Sequence, residues 1–189
     1  QDRKAVSTML DKMGIDVIGA TSAGEFTDGH QSEGASVIML LDIPKEEYSI
    51  FFETIGDGSS EVTARQLGEV ALRQFNHPAI IFCSTFLSAE GIAIDGETLM
   101  RNIENVVGSQ VNIFGGMAGD DLSFTGSYVF TNNDATDYGL VALIMDADKI
   151  AMQGMAISGW KPMGISRTIT KSEGNLIYTI DDKPALETY

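Results

Sequence analysis

Phe114-Gly115-Gly116-Met117-Ala118-Gly119-Asp120-Asp121 is the stretch whose reading decides the fold. An apolar run, residues 111–114, enters it and two acids leave it. Strand-like residues that end in Gly-Gly and pass into a small-residue turn bring bare backbone to an accessible place. Such a turn offers N–H groups to an anion, while neighbouring carboxylates receive a cation or a donor. Val17-Ile18-Gly19-Ala20-Thr21-Ser22-Ala23-Gly24-Glu25 repeats the order: apolar strand, Gly, small residues, Ala-Gly, acid. Aligning Gly19 with Gly115 brings Ala23-Gly24-Glu25 onto Gly119-Asp120-Asp121, or onto Ala118-Gly119-Asp120 after a one-residue slip. Val37-Ile38-Met39-Leu40-Leu41-Asp42 likewise resembles Val141-Ala142-Leu143-Ile144-Met145-Asp146, and a longer loop in the second copy accounts for the unequal spacing. The expectation is an internal duplication of a strand–glycine loop–strand unit, with both loops facing one site.

Working outward, Val6, Met9, Leu10 and Met13 fall at helical spacing and Gly14 is a natural stop. Residues 15–18 read as a short strand and 28–34 as a polar turn. Residues 36–43 form a nearly continuous apolar run, expected to be a strand buried on both faces. Residues 48–55 are a second strand, rich in aromatic and β-branched side chains. Gly56-Asp57-Gly58-Ser59-Ser60 leads into a helix over 59–75 with Leu67, Val70, Ala71 and Phe75 on one face. This is not a phosphate loop: Glu61 stands where a third glycine belongs and no Lys follows, so Ser59 or Ser60 reads as a cap. Residues 79–83 are a buried strand, and Asp95 caps a helix over 95–107 that Gly108 ends. Residues 128–131, 138–145 and 149–158 are further strands. Residues 167–180 form a hairpin turned at Ser172-Glu173-Gly174-Asn175, and Pro184 suits the first turn of another helix. The fold class is α/β in the broad, α+β sense: mixed β-sheets with flanking helices. Only one β-α-β-α run occurs, which argues against a fully parallel doubly wound sheet.

A chain of 189 residues fits one domain or two small ones and buries roughly 70% of its unfolded surface. Its 43% hydrophobic and 21% charged content is that of a globular protein, and no apolar run approaches the ~20 residues that span a bilayer. A formal charge of −15, with no Lys/Arg cluster to offset it, repels nucleic acid and anionic membrane surfaces. The single cysteine, Cys83, excludes an internal disulfide framework and fits a reducing, cytoplasmic compartment. Two histidines and one cysteine far apart give no zinc-ligand spacing, and no D-x-D-x-D-G calcium loop occurs. Gln1 is not an initiator, so the chain is read as a piece of a longer protein.

The two glycine loops, together with Ser158-Gly159-Trp160-Lys161-Pro162-Met163-Gly164 and Asp181-Asp182-Lys183-Pro184-Ala185-Leu186-Glu187, resemble the amino-terminal half of a FIST domain. The resemblance covers nearly the whole chain. It departs at Ala20, where the family often has cysteine, and the chain stops where the carboxy-terminal half would begin. It implies that residues 1–183 are a FIST N-like domain lacking its start, and that 184–189 open a FIST C-like part. It also implies a sensory module of a signal-transduction protein that binds a small, amino-acid-like ligand. A downstream signalling domain or protein of kinase, cyclase or receptor type would be its partner. Some FIST-type proteins are haem-based nitric-oxide sensors; here an axial ligand would come from His30, His77, Cys83 or a methionine, and none sits in a haem-attachment motif.

An amino-acid-like ligand needs N–H donors for a carboxylate, acids for an ammonium and an apolar wall. The candidates are Thr21, Ser22, Gly24 and Glu25 in the first loop, with Gly19 before them. Gly115, Gly116, Met117, Gly119, Asp120 and Asp121 serve in the second, and Trp160 adds an aromatic wall. The plainer reading is that these glycines permit tight strand ends, the acids cap turns and Trp160 fills a corner. The rival class is an enzyme with Cys83 or Ser22 as nucleophile, Cys83 standing in the strand-end segment Cys83-Ser84-Thr85. A buried, inert cysteine is the commoner case.

Overall fold

The computed structural model describes residues 3–56, 58–88, 90–121, 123–155, 157, 159–173 and 176–188. The chain divides into two compact units, Gln1–Gly154 and Met155–Tyr189.

The first unit opens with α1 (Arg3–Lys12), whose chain reverses at Gly14 with φ 72°. Short strands β1 (Ile18–Ala20), β2 (Glu25–Thr27) and β3 (His30–Ser32) follow. The turn between β2 and β3 is Asp28-Gly29, both at positive φ as a two-residue hairpin demands. After a short 3-10 turn come β4 (Tyr48–Thr54), α2 (Ser60–Gln74), β5 (Pro78–Ser84), α3 (Gly96–Val107) and β6 (Ile113–Met117). The unit ends with β7 (Val129–Thr131), β8 (Ala135–Thr136) and β9 (Gly139–Asp146). Both long helices begin where the sequence places a cap. Ser59 Oγ accepts from Val62 N, and Asp95 accepts from Glu97 N at 3.0 Å and from the Thr98 hydroxyl at 2.7 Å.

The main sheet has the order β4-β9-β5-β6, antiparallel except for the parallel pair β5–β6, which α3 connects. Its central strand β9 is buried from Gly139 to Met145, so it reads as an unbroken apolar run. Alternation divides β9 between two cores. Leu140, Ala142 and Ile144 join Leu67, Ile80, Leu99 and Ile103 under α2 and α3, while Val141 joins Val129 and Ala118 on the other face. Gly68 lets the two helices approach: a Cβ there would fall 2.8 Å from Val106 Cβ. A small sheet, β1-β7-β8, places Ile18 and Ala20 on the second face.

The second unit, considered by itself, contains β10 (Ile169–Glu173), β11 (Leu176–Ile180), β12 (Lys183–Pro184) and α4 (Ala185–Thr188). Asp181 and Asp182, both at positive φ, turn β11 into β12, and Asp181 accepts from Thr168 N at 2.9 Å and from Arg167 at 3.1 Å. The hairpin over 167–180 forms as expected, although Gly174 and Asn175 of its turn lie outside the described residues, as do Asp57 and Ser158.

The mixed-sheet α+β class holds, but the duplication does not emerge. The first copy's strand, β1, pairs antiparallel with β7 in the small sheet, whereas the second copy's strand, β6, pairs parallel with β5 in the main sheet. Residues 36–43 form no strand, and Val37, Ile38, Met39, Leu40 and Leu41 are exposed, in contrast to buried β9. An apolar run becomes a buried strand only where it finds strands to pair with and cover on both faces; β9 pairs with β4 and β5 and packs into both cores. The expected strand over 149–158 is not formed among the described residues either. Instead Met152 O accepts from Asn112 Nδ2 at 3.1 Å, and Gly154 lies against the Phe114 ring. The backbone there runs beside edge strand β6 through side-chain contacts rather than a ladder.

Candidate functional site

Gly115 and Gly116 do not form a turn. They continue β6, opposite Phe82 and Cys83 of β5. Gly115 has to be glycine for a packing reason: a Cβ would fall 2.1 Å from the Phe82 carbonyl oxygen. The bare strand leaves a cavity of about 190 Å³ at the carboxyl ends of the parallel pair, where open α/β sheets place their ligands. Phe82 and Ser84, two apart on β5, form one wall; Gly115, Gly116 and Met117 form the second; Gly96 and Met100 of α3 close it. The Met117 sulfur packs against Gly96, where a Cβ would lie 2.9 Å from it.

One atom in this wall stands out chemically. Ser84 is fully buried, and its Oγ has no hydrogen-bond partner among the described residues. Its neighbour Thr85 is also buried, but the Thr85 hydroxyl accepts from Gly139 N at 3.1 Å. A buried hydroxyl without a partner costs about 1–3 kcal/mol. The fold therefore carries at this point a buried polar group without a protein partner among the described residues, in a residue that lines the cavity.

The two glycine loops meet just beyond the strand end. Ala118 N donates to Ser84 O at 2.8 Å, and Gly119 N donates to Thr21 O at 2.9 Å. A Cβ at Gly119 would fall 2.7 Å from Ala23 N, so the loops are in van der Waals contact. Thr21 is held in turn by Tyr128, whose N–H donates to the Thr21 hydroxyl at 2.9 Å.

The acids are held within their own loops. Glu25 accepts from Ser22 Oγ at 2.7 Å and from Ala35 N at 3.0 Å, next to Gly24 at φ 154°. Asp120 accepts from Thr125 N at 2.6 Å, from Gly126 N at 3.2 Å and from Ser123 Oγ at 3.1 Å. Desolvation works to raise the Asp120 carboxyl, but the N–H groups of Thr125, Gly126 and Phe124 outweigh it and hold it below the usual range. Asp121 is the turn residue that follows, at φ 56°. Trp160 belongs to the second unit, where it is 92% exposed.

Thus Gly115, Gly116 and Met117 line the cavity, and Thr21 and Gly119 form the junction of the loops. Phe82, Gly96 and Met100 were not among the residues expected from sequence. The period-2 alternation of β5 could have placed Phe82 with Ser84, but nothing in the sequence orients α3 toward them.

Cys83 faces away from the cavity, among Val141, Val129 and Ala118. Burial pushes its thiol pKa up, against a smaller lowering by Gly116 N–H. His77 precedes β5 at its other end, ~20 Å along the strand, and its Nδ1 contacts Asp148 at 2.9 Å. His30 stands in β3. A second cavity, of about 230 Å³, lies at that other end of β5. Two of its polar side chains are occupied, His77 by Asp148 and Asn112 by Met152 O. No group of three or more His, Cys, Asp or Glu among the described residues could hold a metal ion. No helix among them is long and apolar enough to cross a membrane.

Comparison with curated proteins and with solved structures gives no match. The family model described as FIST N domain matches residues 3–183, nearly the whole chain. The chain belongs to the FIST N domain family.

Proposed function

We infer that this chain is the ligand-binding part of a sensory protein, taking a small, amino-acid-like molecule and relaying occupancy by a change of shape. FIST N membership supports a sensory, signal-transduction setting. The observation that carries the reading is the junction of the two loops, Gly119 N on Thr21 O at 2.9 Å, next to a cavity walled by Gly115 and Gly116. Glu25 and Asp120, each braced by its own loop, are fixed carboxylates, and a fixed carboxylate binds an ammonium with less ordering cost than a mobile one. Gly119 packs directly on Ala23, and this contact supports a coupling in which a ligand that moves one loop moves the other, as a sensor needs. The downstream partner, a kinase, cyclase or receptor domain, would read that displacement.

Calorimetric titration with amino acids, after a thermal-shift screen to select binders, tests this. A selected amino acid should bind the wild type, and Asp120→Asn, which keeps shape and removes charge, should weaken it about ten- to a hundredfold. No amino acid raising the midpoint, or equal affinity in both Asp120→Asn and Glu25→Gln, would return these acids to bracing turns.

A further inference from the structure

We propose that the cavity between the ends of β5 and β6 and the first turn of α3 is a subsite for the neutral, apolar end of a small ligand, held by one hydrogen bond to Ser84 Oγ. The inference rests on the ligand-sensing reading and specifies which part of a ligand enters the sheet. Three observations carry it. Ser84 is fully buried and its hydroxyl has no protein partner among the described residues, so the site offers one donor and acceptor. The other side chains around it are Phe82, Met100 and Met117, all apolar. The N-terminus of α3, which would otherwise favour an anion, is already occupied: Asp95 accepts from Glu97 N and from the Thr98 hydroxyl and places its own negative charge there.

Charge therefore decides what fits. A carboxylate pushed into this cavity would meet one hydroxyl, apolar walls and the nearby Asp95 carboxylate. An ammonium would leave water for a single acceptor. Both exchanges are unfavourable, because a desolvated charge needs full pairing. A branched hydrocarbon with one neutral oxygen loses little by entering and gives Ser84 its missing partner. The volume, about 190 Å³, suits a body of a few carbon atoms. The two thioether side chains, Met100 and Met117, let the walls adjust around it.

The test is a titration of the protein with isobutanol, isobutyrate and isobutylamine, followed by backbone amide NMR, alongside the amino-acid titrations. Isobutanol should give saturable shifts centred on Ser84, Gly115–Met117 and Gly96, with each charged analogue at least tenfold weaker. Ser84→Ala should weaken isobutanol roughly three- to tenfold. The same variant should leave the thermal midpoint of the free protein unchanged or raised, because it removes an unpaired buried hydroxyl. A lowered midpoint with unchanged isobutanol affinity would assign Ser84 a purely structural role and overturn the proposal. Equal binding of the charged analogues would overturn it as well. Met100→Phe, which narrows the cavity from the helix side, should abolish the shifts, and their persistence counts against the site. Amino-acid binding at the loops with a silent cavity sinks this inference and leaves the sensory reading standing. Isobutanol binding as expected, with no amino-acid binding, does the reverse.

Discussion

Residues 37–42 and 141–146 are two apolar runs of almost the same composition, each ending in Asp, and they have opposite fates. The second is the core of the molecule: Val141, Ala142 and Ile144 are fully buried in β9 between β4 and β5. The first is exposed, with Met39 at 80% and Leu40 at 75%. Hydrophobicity supplies the drive to leave water, but not the surfaces to enter. β9 has a strand on each side, helices α2 and α3 over one face and β7 over the other. The first run leads instead into Lys45 and Tyr48, whose ammonium and hydroxyl both bond Asp16 and hold its carboxyl below the usual range. That tie fixes the start of β4 without covering the run before it.

The sharpest way to break this comparison is to truncate the buried run. Ile144→Ala should cost about 2–5 kcal/mol, because it opens a cavity between β9 and the helices that the rigid sheet cannot collapse. Denaturant unfolding measures it, and a loss below 1 kcal/mol would mean that β9 is not the centre of the core. On the other face of the same sheet, Cys83 packs with Val141. Cys83→Ala should cost on the order of 1 kcal/mol and leave ligand affinity intact. Full stability with complete loss of function would instead favour a nucleophilic role for this thiol. The smallest effect belongs to the exposed run, where Met39→Ser should change stability by no more than about 0.5 kcal/mol. A loss comparable to that of Ile144→Ala would show that residues 37–41 are covered in solution and that the two runs are equivalent after all.

Much of the framework was legible locally. Ser59 and Asp95 announce the starts of α2 and α3 because a side-chain acceptor before a helical repeat satisfies free N–H groups wherever the helix ends up. Asp28-Gly29 reads as turn material for the same local reason, a backbone that must reach positive φ. The strands it joins, β2 and β3, fall partly within the expected polar turn over 28–34 and are not legible as strands. The importance of Gly115 was visible too, but its cause was not. The sequence places it where a strand ends and bares its backbone, but not why: its Cβ would strike Phe82 O, a contact between positions far apart in sequence.

The sequence by itself thus determined the family, the two capped helices and the strands of the main sheet, since caps, turns and periodicity are written within a few neighbouring residues. Tertiary structure alone decided which of two similar apolar runs became the central strand, and that the glycine loops touch through Gly119 and Thr21 without being copies of each other. It also decided that Ser84, rather than its neighbour Cys83, faces the cavity. Those outcomes depend on strand partners and on which face of a sheet a helix covers. Such long-range pairings leave no mark on local composition.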